Sequence, residues 1–140
     1  MLDKLRDRAL HVIAATPTCI LSTTGPAGLQ ASVVSCRVHA AQSDPEQQQR
    51  VFVFIPVTSD HLFNLEHCPE VMLTTPQWQL RGLVGADQAA PPEVTVIECQ
   101  QQVMTFQVTP VQMHIEPTGE GSHRETIDFC PRFQQREVRP

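Results

Sequence analysis

Apolar residues along this chain either alternate with polar ones or form short unbroken runs. VFVFIP (51–56) is an unbroken run, and its β-branched and aromatic residues are typical of a buried strand. Residues 103–117 alternate instead, which indicates a half-buried strand. The pattern predicts six or seven consecutive strands, and the remaining candidates are residues 19–24, 29–40, 71–75, 78–86 and 94–99.

The alternating segment is interrupted once, at Pro110, which cannot donate a hydrogen bond to a neighbouring strand. We therefore expect one long strand whose apolar face changes at the proline. The residues predicted to share a face are Met104, Phe106 and Val108 before it and Val111, Met113 and Ile115 after it.

An amphipathic helix is predicted near the start of the chain, over residues 3–15. Leu5, Ala9, Val12 and Ile13 recur at the spacing of one helical face. This face is expected to pack against the strands.

A second, short helix is predicted over residues 59–68, between two strands. Ser59 is a good N-cap because its hydroxyl can accept a hydrogen bond from an early helical N–H. Leu62 and Leu65 can face a core, while Asn64 and His67 are expected to face water.

Turn signals separate these elements. GPAG (25–28) lies between two strand candidates and predicts a hairpin. The polar segments 41–50 and 87–93 predict loops, and the residues after about 129 are expected to be mobile. Consecutive strands favour an antiparallel sheet that closes into a small barrel, so the fold class is mainly β.

Composition narrows the function. A chain of 140 residues predicts a single domain, 1–140, and a net charge of −5 gives no positive field for nucleic acid or an anionic membrane. No apolar stretch approaches a membrane span and no signal sequence is evident, so we predict a cytoplasmic protein. The five cysteines show no CxxC spacing and the six histidines no HxxxH spacing, which predicts buried free thiols and no metal site.

The order of these elements resembles the pyridoxamine 5′-phosphate oxidase-like, FMN-binding split-barrel family. The resemblance lies mainly in VFVFIPVTSDHLFNLEHCPEVMLTT (51–75), a strand, a capped helix ending in X-Pro and a further strand. TFQVTPVQMHI (105–115) is similar to the family's late strand, and HRETIDF (123–129) to the tail of short members. The resemblance implies a six- to seven-stranded antiparallel split β-barrel of Greek-key type with two short helices.

The same resemblance implies a homodimer that holds FMN at the subunit interface. It predicts an FMN-binding oxidoreductase, with hydride or electron transfer at the flavin, an unknown small-molecule substrate and no identifiable catalytic residue. The implied cofactor-binding residues are Val33, Val34, Ser35, Cys36, Arg37, Phe54, Ile55, Ser59, His61, Trp78, Gln79 and Arg124.

The chain also departs from the family pattern. Asp60 and His61 stand where the family commonly has Arg-Lys, and both are expected on the helix surface. The strand end Phe54–Ile55 lacks a hydroxyl, and the Arg- and His-rich C-terminal segment of true pyridoxamine phosphate oxidases is missing. The chain is therefore not predicted to be that enzyme.

Several alternatives remain open. Ser59 can bind a phosphate or only cap its helix, and Trp78 can stack on a flavin or fill a core. The main cationic candidates for a phosphate are Arg37, Arg81 and Arg124. A flavin-free split-barrel dimer that serves as a binding or assembly module is the rival function, and a barrel for deazaflavin or heme is a third.

Overall fold

The computed structural model describes residues 2–40, 49–85, 103–117 and 124–129. The predicted strand at 94–99, most of the two predicted loops and the predicted mobile tail lie outside these residues.

Two helices and seven strands occur in the described residues. The predicted helices are confirmed as α1 (Leu2–Ala14) and α2 (Asp60–His67). The short last strand, within the segment HRETIDF, was not predicted from the hydrophobic pattern. The strands are β1 (Thr18–Thr23), β2 (Gln30–Ala40), β3 (Gln49–Pro56), β4 (Glu70–Thr74), β5 (Trp78–Val84), β6 (Val103–Ile115) and β7 (Glu125–Asp128).

The strands form an antiparallel barrel. Their order in the sheet is β3-β2-β1-β4-β5-β6-β7, and β3 also pairs with β6. This last pairing closes six strands into a ring, while β7 adds to the outer side of β6. The predicted fold class is confirmed. Closure removes the exposed strand edges that an open sheet would present.

The core lies inside the barrel because successive side chains point to opposite faces of a strand. Val51, Val53 and Ile55 of β3 are all buried, which confirms this segment as a buried strand. Leu21 of β1 and Leu73 of β4 belong to the same buried cluster. Helix α1 adds its own apolar face to this cluster through the residues Ala9 and Ile13.

Strand β6 has the predicted irregularity at its proline. The pairing register with β5 shifts next to the Gly82–Pro110 pair. The residues that face inward are therefore even-numbered before the shift and odd-numbered after it. Met113 and Ile115 are buried beyond the shift, as predicted. Met104, Phe106 and Val108 lie opposite the inward residues of β3 and share one face, as predicted, although Met104 is 46% exposed at the strand's start.

The predicted hairpin turn is confirmed between β1 and β2. The backbone N–H of Gly28 donates to the carbonyl of Gly25 at 2.9 Å. Gly28 has a φ of 82°, a conformation that glycine adopts without the steric penalty of a side chain.

In the described residues, none of the helices combines the length and the apolar character needed to cross a membrane.

Candidate functional site

Residues that pair across the strands form rows on the outer face of the barrel. One row runs across β2, β1, β4, β5 and β6. Its central members, Met72 and Arg81, are both half-buried. The members are, in order, Ala31, Ser22, Met72, Arg81 and Gln112.

A second outward row lies beside the first. It begins with Val33 and Ile20, a cross-strand apolar pair whose side chains are 69% and 44% exposed. It continues through Thr74 and Gln79 to His114 on β6. The two rows together join apolar and polar groups on one surface.

The first row opens into a cleft of about 260 Å³, which we call the Arg81 cleft. The guanidinium of Arg81 makes no hydrogen bond or ion pair with any of the described residues. Side chains with hydroxyl groups and one carboxylate, that of Glu70, line the same cleft. The lining residues are Ser22, Thr23, Thr24, Leu29, Glu70, Val71, Met72 and Arg81.

The start of helix α2 is capped as predicted. The hydroxyl of Ser59 accepts a hydrogen bond from the backbone N–H of His61 at 3.1 Å. The next residue, Asp60, is exposed and suits the positive end of the helix dipole. The N-capping role of Ser59 therefore requires no ligand.

His61 does not lie on the helix surface. Its side chain is only 2% exposed, so the expectation that it faces solvent is wrong. The imidazole Nδ1 lies 2.7 Å from the hydroxyl of Thr23, and Nε2 lies 2.8 Å from the hydroxyl of Ser32. Both ring nitrogens are thus occupied, and His61 is not free to bind a phosphate.

Asn64 lies on the same helical face, one turn later, and is fully buried. Its amide nitrogen donates to the Thr23 hydroxyl at 3.1 Å and to the Gly28 carbonyl at 2.9 Å. Its amide oxygen accepts from the backbone N–H of Ala27 at 2.9 Å. The prediction that Asn64 faces water is wrong, because this side chain holds the hairpin turn.

We call this arrangement the polar clamp: His61 and Asn64 of α2, Thr23 and Ser32 of the strands, and the turn 25–28. A side chain at Gly25 would place its Cβ 2.8 Å from the Asn64 amide oxygen. Helix and turn therefore approach so closely that glycine is required there.

The hydrogen-bond partners assign the His61 tautomer. Thr23 accepts from Asn64, and its own hydroxyl hydrogen has no acceptor other than His61 Nδ1 among the described residues. Nδ1 is then the acceptor, and the Nε2–H donates to Ser32. This is the neutral form of the ring. Burial lowers the pKa of His61 below its ordinary value of 6.5, and the nearby charge of Asp60 only partly opposes this.

The predicted cofactor residues divide between the two faces of the barrel. Val33, Ser35, Arg37, Phe54 and Gln79 occupy outward positions, although Phe54 is buried in a small cluster with Phe52 and Val103. The other strand residues, Val34, Cys36, Ile55 and Trp78, point into the core. The structure therefore does not bring the predicted set together.

Two of the three cationic candidates are engaged elsewhere. The guanidinium of Arg37 donates to the carbonyls of Cys36 and Pro17 at 2.8 and 3.1 Å. Arg124 forms an exposed ion pair with Glu116 at 3.2 Å, and not with the adjacent residue Glu125. Arg81, the third candidate, lines the Arg81 cleft.

Trp78 takes the core alternative. It is 1% exposed, and its indole N–H donates to the Thr16 hydroxyl at 3.3 Å. A buried indole with a satisfied N–H is not available to stack on a cofactor at the surface.

Three cysteines are described, and all three are free thiols. Cys19 and Cys36, on adjacent strands, are buried as predicted, whereas Cys68 is half-buried. A hydrogen bond to Cys36, together with burial, raises the pKa of the Cys19 thiol. The same bond from Cys19, aided by the charge of Arg37 against the effect of burial, lowers the pKa of Cys36.

The described residues contain no group of three or more His, Cys, Asp or Glu side chains placed to hold an ion.

Sequence reasoning missed Asn64 and Thr23. The available signal was an asparagine, a poor helix former, in the interior of an eight-residue helix. It stands three residues after a histidine, which places both polar groups on one face.

Comparisons with known proteins agree with the fold. No protein-family model matches the sequence, and no curated protein matches it. The structure of a heme binding protein from Mycobacterium smegmatis is similar, with a TM-score of 0.57 and 14% identity. That likeness covers 86% of this chain but 56% of the other, so this chain spans little more than half of its neighbour's length.

A second solved structure gives a TM-score of 0.52 at 15% identity, covering 89% of this chain and 95% of that one. At such identities the likeness concerns the fold alone. The chain has a split-barrel fold, in which the described residues form a closed six-stranded antiparallel barrel with one additional strand and two short helices.

Proposed function

We propose that this protein binds a small anionic cofactor on the outer face of its barrel, with the anionic group at Arg81. The observation that carries the proposal is the half-buried Arg81, which lines a cleft and whose guanidinium makes no hydrogen bond or ion pair with the other described residues. Guanidinium groups bind phosphates and carboxylates through paired hydrogen bonds. The hydroxyls of Ser22 and Thr24 line the same cleft.

FMN is the first candidate because the order of elements resembles the FMN-binding split-barrel family. The residues fit its phosphate at the Arg81 cleft, with the second outward row beside it for the remainder of the molecule. The start of α2 fits less well, since His61 is buried and Asp60 carries a negative charge. When bound, FMN would supply hydride or electron transfer, and the chain would supply binding and orientation in an oxidoreductase of unknown substrate.

A homodimer is part of this proposal. Val33 and Ile20 form an exposed apolar pair in the centre of the outer face. A second copy packed on this face would remove the pair from water and enclose a cofactor in the neighbouring cleft.

FMN titration, followed by the quenching of flavin fluorescence, tests the proposal with three matched variants. Arg81→Gln is expected to weaken FMN binding by about tenfold, the loss of one charge-assisted contact. Glu70→Gln should strengthen binding by about twofold, because it removes an exposed negative charge from the same cleft. Arg124→Gln, which breaks an exposed surface pair, is the control and should change affinity by less than about twofold.

The outcomes are distinct. Equal effects of Arg81→Gln and Arg124→Gln would place the phosphate elsewhere. If the parent protein does not bind FMN at micromolar concentration, the flavin-free binding or assembly module becomes the preferred function.

Heme is a second candidate, and the fold shared with a heme-binding protein supports it. In this chain a heme propionate would bind Arg81. His114, half-buried in the second row, is the candidate iron ligand because its Nδ1 lies 2.9 Å from the Thr126 hydroxyl, leaving Nε2 for the metal. Hemin titration monitored by absorbance should then respond to His114→Ala and not to His67→Ala on the exposed side of α2.

A further inference from the structure

The polar clamp lies directly behind the wall of the Arg81 cleft. Thr23 belongs to both: β1 forms part of the cleft wall at this residue, while its hydroxyl is held by His61 and Asn64 inside the barrel. Gly28, whose carbonyl accepts from Asn64, immediately precedes Leu29, another lining residue. A change in the clamp is therefore transmitted to the cleft through one strand and one turn.

We propose that His61 and Asn64 are positioning residues for the Arg81 cleft, and that protonation of His61 releases the β1–β2 turn and weakens anion binding. This inference rests on the proposed function, since it concerns the affinity of the same cleft. It adds a regulatory property: occupancy of the cleft depends on a proton bound to a residue that does not touch the ligand.

The physical basis is the complete pairing of the neutral ring. Thr23 donates to Nδ1 and Nε2–H donates to Ser32, so each ring nitrogen has the role its partner needs. A proton on Nδ1 turns this acceptor into a donor, so the hydroxyl hydrogen of Thr23 must rotate away while its oxygen accepts from Nδ1–H. Thr23 is 2% exposed, so the rotated hydrogen finds no water in the closed clamp, and the imidazolium charge is buried as well. Movement of the strand end and the turn relieves both costs.

The groups around the ring leave His61 as the titrating member of the clamp. On its own helix, Asp60 is the nearest charge. On β1, against which α2 packs, the residue that faces the ring is the neutral Thr23. On β2 it is the neutral Ser32, with Arg37 five residues further along the strand. Glu70 and Arg81 lie in the cleft on the far side of the Thr23 strand.

The first test uses the ligand-free wild-type protein and needs no variant. Hydrogen exchange of the Ala27 amide, which donates to Asn64, is followed from about pH 7.5 to a pH below the midpoint of the His61 ring titration, which NMR measures in the same samples. The protection of the Ala27 amide, corrected for intrinsic exchange, should fall by about tenfold as the pH is lowered. The midpoint of this fall should coincide with the midpoint of the His61 titration. The Cys36 amide, bonded to the Pro17 carbonyl at the other end of the hairpin, is the internal control. Unchanged Ala27 protection while His61 takes up its proton overturns the inference.

The second test measures FMN affinity at the same two pH values in the wild type and in His61→Gln. The phosphate of FMN also takes up a proton in this range, but equally for both proteins. Wild-type affinity should therefore fall about fivefold more than that of the variant, a difference of about 1 kcal/mol. Equal pH dependence, or tighter wild-type binding in acid through attraction to the imidazolium, overturns the linkage.

The two proposals fail separately. Absence of FMN binding at about pH 7.5 counts against the proposed function, whereas hydrogen exchange decides the proton sensitivity of the clamp without any ligand.

Discussion

The start of helix α2 and the Arg81 cleft both have features that suit an anion, yet the structure uses them differently. At α2 the Ser59 hydroxyl, the His61 ring and the Asn64 amide all have partners within the protein. In the cleft the Arg81 guanidinium has none among the described residues. A polar group already paired inside the fold stabilises the fold, and a charged group left unpaired in a cleft is available for a ligand.

The largest expected effect comes from Asn64→Ala. This change removes three hydrogen bonds, one of them buried and two partly buried, and leaves the Ala27 amide and the Gly28 carbonyl without their partner. We expect a loss of about 3–5 kcal/mol in the free energy of unfolding, measured by urea denaturation. His67→Ala, an exposed position on the same helix, is the control and should lose less than about 1 kcal/mol. Similar losses in both variants would show that the clamp contributes little.

The family-like basic pair, Asp60→Arg with His61→Lys, tests whether α2 holds a phosphate. Since His61 is buried and bonded to two hydroxyls, a lysine there should lower the free energy of unfolding by about 2–3 kcal/mol. Asp60→Arg alone, at an exposed first-turn position, should lose only about 0.5 kcal/mol. FMN titration and denaturation are measured on both variants. A stable double variant with tighter FMN binding would restore α2 as the phosphate site.

The pH dependence of stability gives a smaller effect with a defined sign. The pKa of His61 is lowered in the folded protein, so the unfolded state binds the proton more readily. The contribution of His61 is complete above its ordinary value of 6.5 and is lost progressively as the pH falls from there through the folded-state pKa. Denaturation curves of wild type and His61→Gln should diverge at neutral pH and approach each other in acid. A gap that widens in acid would contradict the neutral assignment of the ring.

Salt should have the smallest effect. If Arg81 binds the FMN phosphate from a half-buried position, raising ionic strength from about 0.05 to about 0.5 M should weaken binding by roughly threefold. The Arg81→Gln variant should show a flatter response. An equally steep salt dependence in the variant would assign the attraction to other cations.

Local physics made much of the fold predictable. Strand 51–56, the turn 25–28 and the Ser59 cap each depend on neighbours in sequence, and all three are confirmed. Strand β7 was missed because its four residues are too few to show a period and it forms only by pairing with β6. Alternation placed Met104 on the correct face, but it does not predict how far the cover over that face extends, and Met104 is 46% exposed.

The candidate site was less predictable. The resemblance to the family predicted an anion site at α2, because the positions of Ser59 and His61 match a binding motif. Position along the chain does not reveal whether a side chain already has a hydrogen-bond partner. His61 is buried by contacts with residues 38 and 29 positions away. Such contacts arise only when the hairpin and the helix pack together.

The periodic strands, the hairpin glycine and the helix cap follow from the order of residues, because each is set by interactions within a few residues. The pairing of β3 with β6, the inward direction of His61 and Asn64, and the unpaired state of Arg81 among the described residues arise only when the chain packs. The reason is physical. Pairing and burial depend on which distant segments of the chain pack together. Whether a cationic side chain stays unpaired likewise depends on every residue that packing brings near it.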